Sequence, residues 1–153
     1  MRMGLDSIYT PQMVVDGKDQ FIGSDAALAD RTIRKAAEPV KPKVEAVANG
    51  TSAEVVITGF GTHKVATAVL AVAEDGLVSD VTAGNNRGKK IQHASVVRQL
   101  KAFGKVPEKA TEFRGSVELP TDPKWKKENV RYVVFVQEDQ SGRVIAAGRV
   151  KTS

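Results

Sequence analysis

Two clusters of basic side chains have the residue types that bind anions. They are Arg87, Lys89, Lys90, Lys124, Lys126 and Lys127. The first three adjoin the glycine-rich loop Gly84–Gly88, whose backbone N–H groups could hold a phosphate or a carboxylate. The last three flank Trp125, which could stack on a nucleic-acid base while the lysines contact phosphates. Simpler interpretations stay open: a strand connection whose glycines take positive φ, and a tryptophan that folds back over a sheet.

The charge distribution favours the later half of the chain as the region for an anionic partner. The 153 residues carry a formal net charge of +5. Residues 1–83 contain 8 basic and 11 acidic residues, whereas residues 84–153 contain 15 and 7. The later half therefore has a net charge of +8 and attracts anions most strongly at low salt.

No combination of side chains predicts catalysis, a cofactor or a metal. The chain has no cysteine and two histidines, His63 and His93, which lie too far apart in sequence for a metal motif. His93, Ser95 and Asp80 supply the residue types of a hydrolytic triad. The sequence has no nucleophile elbow or oxyanion loop around them. We therefore predict that this chain is not an enzyme.

The stretch Tyr9–Gly17 predicts a strand, a tight turn at Asp16-Gly17 and a second strand through Gln20 to Gly23. Pro11 stands just before the first apolar run, a position where a strand tolerates its missing N–H. Thr10 and Pro11 are candidates for a structural turn or for the wall of a groove.

Three stretches resemble a bacterial family of unknown function, numbered 1223, of predicted secreted proteins with a thioredoxin-like domain. The stretches are Leu5–Asp25, Gly84–Leu100 and Val133–Val150. The resemblance implies that this chain is the C-terminal part of such a protein. It implies that Thr10-Pro11 corresponds to the cis-proline dipeptide of the thioredoxin-like fold and that the Cys-x-x-Cys half lies upstream. A full-length parent would then be related to thiol–disulfide chemistry and be periplasmic or secreted.

The elements after the hairpin predict an α+β protein with two parts. Ser24 is the expected N-cap of a helix over Asp25–Ala37, which Pro39 and Pro42 end. Residues 1–38 would form a partial thioredoxin-like β-β-α unit, and residues 39–153 an antiparallel β-sandwich.

Alternating apolar residues and turn dipeptides predict the strands of the sandwich. The expected strands are Lys43–Ala48 and Ala53–Thr58 around Asn49-Gly50, then Val65–Ala73, Leu77–Thr82, Ser116–Leu119, Val130–Gln137 and Arg143–Val150. Residues 90–103 fit either a strand or a helix, with a strand preferred for the first part. Val106–Arg114 is expected to be a loop.

These features favour a non-catalytic C-terminal portion of a thioredoxin-like protein. The strands of the partial unit would expose an edge through which the chain could form a homodimer. The alternative is an anion- or nucleic-acid-binding module that uses the basic later half. No apolar run approaches the roughly 18 residues of a membrane span. Met1–Asp6 is too short and too polar to be a signal peptide.

Overall fold

The computed structural model describes residues 9–152. The expectation for Met1–Asp6 therefore lies outside the described residues. In chain order the elements are β1 (Gln12–Val15), β2 (Asp19–Ile22), α1 (Ala26–Ala37), β3 (Lys43–Asn49), β4 (Ser52–Thr58), β5 (Ala66–Glu74), β6 (Leu77–Asp80), β7 (Lys90–His93), β8 (Val96–Val106), β9 (Glu112–Glu118), a 3-10 turn (Lys127–Asn129), β10 (Val130–Glu138) and β11 (Val144–Arg149). The protein is mostly β with one α-helix among these residues, which agrees with the α+β class.

The strands form antiparallel sheets of different sizes. The largest has the order β11-β10-β5-β8, and a second has the order β3-β4-β9. Two ribbons of two strands, β1-β2 and β6-β7, complete the set in the described part of the chain. The antiparallel pairing predicted for the strands after the helix is confirmed.

One apolar core lies between the two larger sheets. Its buried residues come from both: Ala46, Ala53, Val55, Ile57, Phe60, Ala66, Ala68, Leu70, Val72, Val106, Val117, Leu119, Val134, Val136, Ala146 and Val150. A parallel bridge between Val47 and Lys151 joins the end of the chain to β3 and so links the sheets at one corner. Burial of these mostly branched side chains is the main stabilising contribution to the fold.

The helix is capped one residue later than expected. The Asp25 carboxylate accepts a hydrogen bond from the Leu28 N–H at 2.9 Å, so Asp25 and not Ser24 is the N-cap. Both residue types are good N-caps, and sequence alone did not separate them. The helix ends at Ala37, next to Pro39, as predicted.

The prediction of a loop over Val106–Arg114 is wrong at both ends. Strand β8 continues to Val106 and β9 begins at Glu112. The ambiguous residues 90–103 lie in β7 and β8, apart from Ala94 and Ser95, which connect the two strands. Pairing of β8 with β5 shifts register twice, and each bulge changes the phase of the side-chain alternation. This explains why the apolar spacing of β8 looked partly helical.

The first hairpin forms as predicted and its turn contacts the larger sheet. Asp16 and Gly17 both have positive φ, 49° and 64°, as the two central residues of a type I′ turn require. The Val144 N–H donates to the Asp16 carbonyl at 2.8 Å. A Cβ added to Gly17 would lie 2.1 Å from the Gly142 carbonyl oxygen, so only glycine allows this approach.

We expect Gly17→Ala to destabilise the protein more than Gly50→Ala does. Gly50, at the β3–β4 turn, has a similar φ of 62° but open space around the added Cβ. Both variants carry the cost of positive φ, about 1–2 kcal/mol, and Gly17→Ala adds an overpacking cost of about 1–3 kcal/mol. Urea unfolding of both variants measures the difference. Equal losses of stability would contradict the contact between the two turns.

Candidate functional site

Of the two candidates, Thr10 lines an open groove beside the first hairpin and Pro11 does not. The other lining residues are Tyr9, Phe21, Ile22, Ser24, Asp25 and Leu28. The Thr10–Pro11 peptide bond is cis, and the Pro11 carbonyl accepts a hydrogen bond from the Gly23 N–H at 2.9 Å. The carboxylate in the groove, Asp25, is already used as the helix N-cap. Most of the surface that lines the groove is apolar.

A second cavity, of ≈ 390 Å³, lies between the first hairpin, the end of α1 and the larger sheet. Its walls are made by Asp16, Lys18, Asp19, Lys35, Ala36, Glu38, Pro39, Val40, Lys41, Pro42, Phe60, Gly61, Thr62, His63, Arg143, Val144 and Ile145. Lys41 and Asp16 form an ion pair across it. The volume lies within the range of small-molecule sites, but acidic and basic side chains are mixed on the walls.

We call this second cavity the junction cleft. A buried carboxylate, Glu138, holds Arg143 on one side of it. It is 5% exposed and stands at the end of β10. Its oxygens accept hydrogen bonds from Arg143 Nη2 at 2.8 Å, Ser141 Oγ at 2.5 Å and the Lys64 N–H at 3.1 Å. Burial opposes ionisation of Glu138, but these donors outweigh it and lower its pKa to about 2.

His63 closes the other side of the cleft and is 4% exposed. Its Nδ1 lies 2.7 Å from the Lys64 carbonyl oxygen, and its Nε2 lies 3.1 Å from the Ala110 carbonyl oxygen. The Phe60 ring packs beside it at a centroid distance of 5.2 Å. Both ring nitrogens thus face the chain's own carbonyls, and His63 ties together two loops.

The residues of the considered triad do not come together. His93 Nε2 is 2.9 Å from Ser79 Oγ, whereas Ser95 Oγ donates to Asp75 at 3.0 Å. Asp80 instead pairs with Lys90 at 2.8 Å. The described residues also contain no group of three metal-ligating side chains.

The first basic cluster lies at the tip of the β6-β7 ribbon. In its loop the N–H groups of Arg87, Gly88 and Lys89 donate to the carbonyls of Gly84, Val81 and Asn86. These three backbone donors are therefore used within the loop. The side chains of Arg87, Lys89 and Lys90 remain exposed.

The second basic cluster lies near the other end of that ribbon. Trp125 is half-buried and packs against the core. The Lys126 N–H donates to Glu74 Oε1 at 3.0 Å, which fixes the backbone of the loop. Lys124, Lys126 and Lys127 have exposed side chains.

A second buried carboxylate, Glu74, anchors this loop and was not among the predicted residues. It is 1% exposed and also pairs with Arg98 at 2.7 Å. The Lys126 N–H, together with Arg98, lowers the pKa of Glu74 despite its burial. A signal was present in the sequence, because both Glu74 and Glu138 end long apolar strands immediately before a turn.

Comparison with known proteins identifies the family. The sequence profile of DUF1223, described as a protein of unknown function, matches residues 1–137. The chain belongs to the DUF1223 family. The resemblance seen in the sequence is therefore confirmed at this level.

The fold is similar to that of a crystal structure of protein AGR_C_4864 from Agrobacterium tumefaciens. The TM-score is 0.69 at 20% sequence identity, and the match covers 97% of this chain and 64% of that chain. This DUF1223 chain thus spans less than two thirds of the length of the Agrobacterium protein. A domain of the outer membrane lipoprotein Omp28 from Porphyromonas gingivalis is more distant, with a TM-score of 0.41, 17% identity and coverage of 75% and 91%. No curated protein matches this DUF1223 chain.

We expect the Glu138 network to make the stability of this DUF1223 chain depend on acid pH. The pKa of Glu138 is about 2 in the folded chain against an ordinary value of 4.5. Its contribution is complete above about pH 4.5 and is lost as the pH falls towards 2. Glu138→Gln should cost about 1–3 kcal/mol at pH 7, because Arg143 and the Lys64 N–H lose a charged acceptor.

Urea unfolding between pH 2.5 and pH 7 measures this dependence. Glu138→Gln should flatten the acid part of the curve, whereas Glu54→Gln, at an exposed position of β4, should leave it unchanged. Parallel curves for the wild type and Glu138→Gln would show that Glu138 does not carry the acid sensitivity.

Proposed function

We propose that this chain is the non-catalytic portion of a thioredoxin-like DUF1223 protein, and that its β1-β2-α1 unit packs against further polypeptide. The observation that carries the proposal is the apolar surface of this unit. Val14 and Ile22 lie on the same face of the hairpin, because Val14 pairs with Gln20 and Gln12 pairs with Ile22. They are 45% and 56% exposed.

The opposite face of the hairpin is already covered. Val15 and Phe21 are each 9% exposed there. A solvated hairpin usually alternates apolar and polar residues between its faces. This hairpin instead has large apolar residues on both, as a ribbon does when it is enclosed on two sides. Each of its strands also has one edge without a strand partner among the described residues.

The helix supports the same interpretation. α1 has 12 residues, and none of them is buried. Its apolar side is in part half-buried, but Ile33 is 47% exposed. A helix of this length is marginal on its own and normally depends on packing of an apolar face. Further polypeptide against the unit would provide that packing.

The family relationship is consistent with this proposal. The Agrobacterium protein shares the fold over 97% of this chain and is longer. The sequence contains no cysteine, so any thiol–disulfide chemistry of a full-length parent would involve residues outside these 153. In such a parent the present residues would act as a scaffold.

We expect Ile22→Lys to be nearly neutral in this chain, within about 0.5 kcal/mol, because the side chain is already exposed. The lysine substitution at the structurally aligned position of the longer Agrobacterium protein should cost about 1.5–3 kcal/mol, because further polypeptide covers that face. Chemical unfolding of both proteins gives the two values.

Val78, which is 53% exposed on β6, is the matched control position. Val78→Lys should be neutral in both proteins. An equally small effect of the lysine at the Ile22 position in both proteins would contradict the proposed packing.

A second candidate function is the binding of an anionic polymer. It is favoured by one observation: the side chains of both basic clusters stay exposed although their backbones are fixed by internal hydrogen bonds. The clusters lie near opposite ends of the β6-β7 ribbon. A fixed basic surface of this kind suits phosphate contacts.

Titration of a labelled oligonucleotide at 50 mM and 200 mM salt tests this second candidate. We expect binding that weakens strongly with salt, by a slope of roughly one per phosphate contact. Arg87→Gln together with Lys127→Gln should reduce the slope, whereas Lys43→Gln on β3 should not. The absence of binding at the lower salt concentration would eliminate this function.

A further inference from the structure

Strand β5 is apolar on both of its faces. Its sequence is Ala-Thr-Ala-Val-Leu-Ala-Val-Ala-Glu. Leu70 and Val72 point into the core, and Val69, Ala71 and Ala73 point to the other side of the sheet. Near-continuous apolar strands are typical of sheets that are covered on both faces. A partner of this sheet would therefore contact the outward side of β5.

The strands beside β5 extend this surface across the four-stranded sheet. We call it the outer face and define it by its apolar residues: Val69, Ala71, Ala73, Val97, Leu100, Ala102, Val133, Phe135 and Ala147. Pairing places them in rows, such as Leu100 beside Ala71 beside Val133. On the edge strand β11 this row ends in the exposed Arg149, which belongs to the polar rim of the face. Leu100 is 61% exposed and Val97 is 54% exposed. In the described part of the chain, the extensive contacts of this sheet with elements outside it are those of β11 with β3 and of β8 with β9, on the core side.

Polar networks close both ends of the outer face. At one end Lys105 donates to Thr67 and Asp139, each at 2.8 Å, and Thr67 Oγ1 donates to Asp139 at 2.5 Å. At the other end Arg131 pairs with Asp75 and donates to Ser95 Oγ at 2.9 Å. An apolar centre between satisfied polar rims is the usual anatomy of a protein–protein interface.

The edges of the same sheet are poorly suited to strand pairing. Edge strand β8 carries Arg98, Lys101 and Lys105 and contains two register shifts. Edge strand β11 ends in Arg149 and continues into the bridge with β3. Basic side chains and bulges are the common protection of edges against another chain. Association of this sheet is therefore expected through its face.

We propose that the outer face binds the outer face of a second copy of this chain. Four strands about 4.8 Å apart and nine residues long give a footprint of roughly 500 Å² per copy. Two such footprints amount to about 1,000 Å², slightly below the roughly 1,200 Å² in total at which stable interfaces begin, and protruding side chains add accessible area to this value. Two-fold packing of identical faces is the commonest arrangement of homodimers.

The relief of the outer face suits such a pair. Leu100 protrudes beside Ala71 and Ala73, which are 9% and 8% exposed and form a shallow floor. In a two-fold arrangement the Leu100 side chain of each copy can lie over the alanine floor of the other. Facing sheets pack about 10 Å apart when large and small residues interdigitate in this way.

Sedimentation equilibrium of the full chain between about 5 and 100 µM tests the proposal. We expect a wild-type dimer and a monomer for Leu100→Glu. Because an isologous interface contains each substitution twice, the dissociation constant of the dimer should rise on the order of 100-fold or more. Val78→Glu, at an exposed position on the β6-β7 ribbon, should leave the dimer intact.

Circular dichroism establishes that each variant is folded, and Ala147→Glu provides a second substitution in the outer face. A wild-type monomer at 100 µM would overturn the proposal and would assign the face to a different polypeptide. A dimer that survives both outer-face substitutions would also overturn it. So would equal disruption by Val78→Glu, which would place the contact on the ribbon. None of these outcomes depends on the face of the β1-β2 hairpin.

Discussion

The structure depends on the burial of β5 together with a carboxylate at each end of the β5–β10 pair. Glu74 ends β5 and pairs in register with Val130, and Glu138 ends β10 and pairs in register with Ala66. Both carboxylates are almost fully buried. A buried charge is tolerated only when it is paired and hydrogen-bonded. Each glutamate therefore holds a set of donors in place: Arg98 of β8 and the Lys126 N–H at one end, and Arg143, Ser141 and the Lys64 N–H at the other.

The two buried glutamates fix the loops that form a wall of the junction cleft and carry the second basic cluster. The loop fixed by Glu138 forms a wall of the junction cleft, since Arg143 and His63 both line it. The loop fixed by Glu74 presents the lysines around Trp125. The loops at both ends of the central pair are thus held by charge, while its middle is held by apolar packing. Removal of either carboxylate would affect a surface loop and the sheet together.

Elements with local signals could be predicted from the sequence, and elements set by distant contacts could not. The Asp16-Gly17 turn and the hairpin of β3 and β4 have strong turn dipeptides and were found. In the second hairpin Gly50 and Thr51, not Asn49 and Gly50, occupy the turn, because Asn49 pairs with Ser52. β8 was obscured because its bulges are imposed by pairing with β5. The position of Glu74 and Glu138 at the ends of apolar strands is visible in the sequence, but several of their donors are not, because Arg98, the Lys126 N–H and the Lys64 N–H lie 24 to 74 residues away.

The exposed apolar residues of the β1-β2 hairpin and those of the outer face belong to units of different stability. On the hairpin, Val14 and Ile22 project from a ribbon of two strands, which is marginally stable unless it is packed. On the outer face, Leu100 and Val97 project from a four-stranded sheet whose other side is already a complete core. A partner on the hairpin would therefore contribute to folding of that unit, whereas a partner on the outer face would bind a surface that exists beforehand. A partner on the hairpin is therefore expected to be polypeptide of the same folding unit. A partner on the outer face is expected to be an independently folded chain.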